Sequence, residues 1–87
     1  MKEYVENKTK EIVQKFNEIV EANLETFMSL NKITIEDLQK NGTMENHLAT
    51  RFGEDGSYKQ FNYREKEVFR TIITVIGAGV EIETIWK

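Results

Sequence analysis

The 87-residue chain reads as a mainly α protein, with an α+β arrangement as the alternative, on three observations. Apolar residues recur by threes and fours through the first third of the chain. The same spacing returns between residues 63 and 76. Strict alternation appears at the end, in VEIETIWK, where it predicts one strand over about residues 80–86. A chain of this length predicts one domain, because a second core would need more residues than the first leaves over.

The first element is a long amphipathic helix over about residues 2–30. Val5, Ile12, Val13, Phe16, Ile19, Val20, Leu24, Phe27 and Met28 share a stripe covering about half of its circumference. That is wider than a two-stranded coiled-coil seam, so the helix should lie in a groove between other elements. Thr9 and Asn23 fall inside the stripe. Phe16, Asn23 and Phe27 are its interface candidates, with Asn23 placed to set a register. A helix of this length exceeds what the remaining chain covers easily, which predicts a homodimer.

After Leu30 the chain turns at Asn31 and Lys32. Thr34, three residues before Asp37, caps a short helix over about 35–40, and Asn41 with Gly42 supplies its stop signal. Thr43 caps a second short helix over about 44–52, ended by Gly53. Leu38, Gly42 and Leu48 are spaced so that residues 33–53 resemble a helix-turn-helix motif, which implies DNA recognition by Thr43, Asn46, His47, Thr50 and Arg51. The block carries Lys40 and Arg51 against Glu36, Asp37 and Glu45, and Glu45 would face the phosphates, so nucleic acid is the disfavoured partner.

Residues 53–62 read as a loop, with Gly53 and Gly56 flanking Glu54 and Asp55. Its aromatic residues Tyr58 and Phe61, with Tyr63 just beyond, are candidates for core or for protein contact. A helix over about 63–76 follows, capped by Asn62 with Glu65. Val68, Phe69, Ile72, Ile73, Val75 and Ile76 lie on one face. The β-branched run TIITVI argues for a strand instead, and in that case a hairpin across Gly77 to Gly79 would pair it with the last strand. Trp86 is either an anchor to the core or an interface residue.

Charge and inventory exclude several activities. The net charge of −3 is spread evenly, with no basic element for phosphate and no acidic run to mimic DNA. There is no Cys, and His47 is the single imidazole, so thiolate zinc sites and acyl-transfer triads are not expected. No catalytic residue, metal or cofactor is assigned. The N-terminus lacks an uninterrupted apolar run, and no segment reaches a membrane span, so a cytoplasmic protein without membrane contact is expected.

A small non-enzymatic protein that binds another protein, of adaptor or inhibitor type and homodimeric, is therefore the leading expectation. A helix-turn-helix transcriptional regulator is the alternative. In size and composition the chain resembles small proteins of phages and mobile elements in AT-rich bacteria, some of which inhibit host defence. No motif supports that likeness.

Overall fold

The computed structural model describes the backbone of residues 2–47, 56–76 and 79–87, with side chains over 10–47, 56–74 and 79–87. The described elements are α1 (Lys2–Asn31), α2 (Ile35–Asn41), β1 (Gly42–His47), β2 (Ser57–Tyr63), β3 (Lys66–Ile76) and β4 (Gly79–Trp86). The strands form one antiparallel sheet in the order β1-β2-β3-β4, and α1 packs on one of its faces. The fold is α+β. The mainly α expectation is overturned by this sheet.

The helical stripe does produce α1. Thirty residues at about 1.5 Å each give a rod of about 45 Å, matching the 45 Å long axis of the molecule. Phe16 and Val20 bury against Phe61 and Phe69, with Leu24 and Phe27 packed beside them. Each buried side chain of this size contributes about 1.5 to 3 kcal/mol. Phe27 meets Phe61 and Tyr63 edge-on at ring separations of 5.6 and 5.4 Å. Lys32, with φ of 53°, ends α1 in a left-handed turn in which the Ile33 amide donates to Met28 O at 3.0 Å. Thr34 Oγ1 accepts the Asp37 amide at 3.1 Å and caps α2.

Three expected elements are corrected. Residues 44–47 of the expected 44–52 helix belong to strand β1, and the remainder of that helix lies outside the described residues. Gly42 is extended, at φ −98° and ψ 143°, and a Cβ there would lie 2.5 Å from Leu38 O. It is small to let β1 leave α2 closely, and no helix-turn-helix corner forms. The loop expected over 53–62 instead contains most of β2. Its Asn62 is no helix cap: its side chain lies on the sheet, where Nδ2 donates to Glu45 and Thr43 and Oδ1 accepts from Gln60. The helix expected over 63–76 is instead the end of β2, the Arg64–Glu65 turn and β3, whose β-branched residues suit a pleated surface better than a helical turn.

The register assigns the faces. Met44, Phe61, Phe69 and Trp86 form one row toward α1, through the pairs Met44↔Phe61, Phe61↔Phe69 and Phe69↔Trp86. Lys59, Thr71 and Thr84 form the next row on the same face. Polar residues under a helix need partners. Lys59 Nζ donates to Asn17 Oδ1 at 3.0 Å, and Asn23 Nδ2 donates to Thr71 Oγ1 at 3.1 Å and Thr84 Oγ1 at 2.9 Å. The two threonine hydroxyls lie 3.0 Å apart and complete a triangle.

Candidate functional site

Away from α1 the sheet presents two surfaces, its open face and its outer edges. On the open face, Tyr58 lies between the His47 ring, stacked at 4.5 Å, and the Arg70 guanidinium, 4.5 Å from the Tyr58 centroid. Beside them, Glu45 Oε2 accepts from Asn62 and, at 3.1 Å, from Gln60, whose Oε1 accepts from Arg70 at 3.2 Å. Arg70 Nε also donates to Glu67 Oε1 at 3.0 Å, and Lys87 Nζ sits 3.2 Å from Glu67 Oε2. Burial works against the charge on Glu67, but hydrogen bonds from Arg70 and Lys87 outweigh it and hold the carboxyl below its usual range. The Glu67 hydrogen bond pushes the Arg70 guanidinium up. Most of these groups satisfy one another across β1, β2 and β3, with Lys87 joining from beyond β4, but His47 Nε2 is buried without a hydrogen-bond partner among the described residues. Apart from His47 Nε2, the polar groups there are engaged with one another and leave few partners for a ligand.

The outer edge of β4 is different. The Lys87 amide donates to Val68 O, so in the β3–β4 register odd-numbered β4 residues bond inward. The N–H and C=O groups of Val80, Ile82, Thr84 and Trp86 therefore point away from the sheet, and no described residue pairs with them. Val80 and Trp86 are 40% and 45% exposed, large values for apolar side chains on one short strand. Between this strand and α1 runs a groove of about 260 Å³ lined by Ile12, Lys15, Ile19, Val80 and Ile82. On the opposite sheet face, Glu81 and Glu83 stand exposed with no ion-pair or hydrogen-bond partner among the described residues.

The sequence-derived candidates scatter. Phe16 and Phe61 are buried in the core, and Phe27 packs against it, so these three hold α1 to the sheet. Asn23 fixes α1 to β3 and β4 within the chain. Tyr63 donates to Asp37 and ties α2 to β2. Tyr58 lies on the open face with His47, while Thr43 contacts Asn62 there and Asn46 pairs with Lys59 on the opposite face. Thr50 and Arg51 lie outside the described residues. Trp86 alone among the named candidates belongs to the β4 edge, its ring 4.9 Å from Phe69. Glu81 and Glu83 were not singled out, although their alternation with Val80 and Ile82 was the available signal.

No described helix is long and apolar enough to cross a membrane. Comparison with protein-family models, with curated protein sequences and with solved structures finds no match to this chain.

Proposed function

We propose that this chain is a non-enzymatic protein-binding module, of adaptor or inhibitor type, that takes up an extended segment of another protein along the outer edge of β4. The observation that carries this is the coincidence of outward backbone groups on Val80, Ile82, Thr84 and Trp86 with the apolar groove beside them. Strand addition uses those two features together: main-chain hydrogen bonds supply affinity, and alternate side chains enter a groove. The other outer strand, β1, is shorter, and its Thr43, Glu45 and Asn46 are polar, so it offers less apolar area. The cytoplasm is the setting we propose, where a Cys-free domain has no need of oxidising conditions.

The test is a selection from a random decapeptide library, with binders mapped by amide hydrogen exchange. Binders are expected to protect the amides of Val80, Ile82, Thr84 and Trp86. Val80→Pro removes one outward donor and leaves the β3 ladder intact, since proline is tolerated on an edge strand when its nitrogen faces away. It should weaken binding about tenfold or more while preserving the circular dichroism spectrum. Binders that protect another surface, or a Val80→Pro variant that binds like the parent, would refute the proposal.

A further inference from the structure

Resting on the β4-edge proposal, we infer that the segment taken up is basic, an extended stretch of another protein in which Lys or Arg alternates with apolar side chains. Glu81 and Glu83 project from the same face of β4, roughly 7 Å apart as residues two positions along a strand are. Their neighbours across the ladder on β3 are Thr74 and Ile72, which carry no charge. Arg70 and Lys87 are engaged by Glu67, and Arg70 also packs on Tyr58. No cation of the described chain serves the two glutamates. A strand laid outside β4 places its own side chains about 4.5 to 5.5 Å from theirs, where opposite charges attract and like charges repel.

A second copy is the competing occupant, and the registers that overlap most of β4 set like charges together. Antiparallel β4 strands keep one face together when residues of the same parity stand opposite. Registers centred on Glu81, Ile82 or Glu83 then bring glutamate opposite glutamate at least once, and the register centred on Thr84 sets Glu81 opposite Lys87, which Glu67 already engages. On the other face, Lys15 stands at the rim of the groove between Ile12, Ile19, Val80 and Ile82, so that side takes apolar groups and rejects a further cation. The two faces of β4 thus ask for different side chains, and an alternating basic segment supplies both.

Three eight-residue peptides test this against the full chain by amide chemical-shift titration: Lys alternating with Val, Glu alternating with Val, and the same Lys and Val residues in two blocks. The alternating Lys peptide should shift the amides of residues 80–86, and the other two should not. The double variant Glu81→Gln and Glu83→Gln, which breaks no described contact, should weaken that peptide about 2- to 30-fold, the range for two exposed ion pairs. Added salt should weaken it in the same direction. Equal binding of the Glu peptide or the block isomer, or no effect of the double variant, overturns the inference. Sedimentation showing a β4-paired dimer at neutral pH overturns it in favour of a second copy. Library-selected binders that lie on β4 but lack Lys and Arg overturn the basic partner and leave strand addition standing. A library without β4 binders overturns both.

Discussion

Replacing Asn23 by Ala should remove a large share of the stability of this domain, although Asn23 is neither charged nor part of the aromatic core. Its Nδ2 makes two hydrogen bonds beneath α1, to Thr71 Oγ1 and Thr84 Oγ1, and Thr71 is fully buried. Removing one partner of a buried hydrogen bond costs about 1 to 3 kcal/mol, and the two threonine hydroxyls retain each other, so a loss of about 2 to 3 kcal/mol is expected. A domain of this size has roughly 4 to 13 kcal/mol in all, and the melting temperature should fall by roughly 10 to 20 °C. Urea unfolding followed by circular dichroism measures the loss. The triple variant Asn23→Leu, Thr71→Val and Thr84→Val removes every polar member together and should recover most of it, because no donor or acceptor is then stranded. An Asn23→Ala loss below about 0.5 kcal/mol, or a triple variant no more stable than Asn23→Ala, would refute the triangle as the tie between helix and sheet.

Three further outcomes are expected. Hydrogen bonds from Tyr63 and Asn41 hold the Asp37 carboxyl below its usual range, so its contribution is present above the unfolded-state pKa and is lost as pH falls through the lower folded value. Tyr63→Phe should raise the Asp37 pKa seen by carboxyl NMR and flatten acid unfolding; an unmoved Asp37 would show that the phenol is not the cause. The Arg64–Glu65 turn holds both residues in the left-handed region, at φ of 53° and 67°, and Arg64→Asn with Glu65→Gly should add about 1 to 2 kcal/mol in thermal unfolding. A Cβ on Gly56 would sit 1.8 Å from Ile73 O, so Gly56→Ala should cost about 1 to 3 kcal/mol, and an unchanged melting temperature would contradict that approach of β2 to β3.

What was legible in the sequence was whatever one element decides by itself. The α1 stripe, the Thr34 cap and the alternation of β4 are local patterns, and each has its counterpart in the fold. Strand β2 was hidden and β3 was read as a strand only in the alternative, through its β-branched run, because their helix-facing rows carry Lys59 and Thr71, which break the apolar alternation. These residues are tolerable only because Asn17 and Asn23 on α1 meet them, a tertiary fact with no local trace. The hairpin between them was hidden too. Its turn is Arg64–Glu65, where the usual signal would be Asn-Gly or Asp-Gly. In the candidate site, Trp86 was visible by its type. The isolation of Glu81 and Glu83 depends on what β3 sets opposite them, and no spacing reveals that.

The acidic residues of the sheet's open face sharpen the functional reading. Glu45 and Glu67 sit on the same face as Glu81 and Glu83, yet each is surrounded by donors from β2, β3 or the Lys87 terminus. Among the described residues, the unneutralised carboxylates of that face are thus confined to β4, an edge strand whose outward backbone groups are unpaired. Surface glutamates on an edge strand ordinarily serve to block self-pairing. Here the same charges that repel another β4 would attract a basic strand, so exclusion of the wrong partner and choice of the right one rest on two side chains. Removing both charges should therefore act in opposite directions, weakening a Lys-bearing segment while easing the approach of a second copy. A variant that lost both interactions together, or gained both, would separate the glutamates from partner choice.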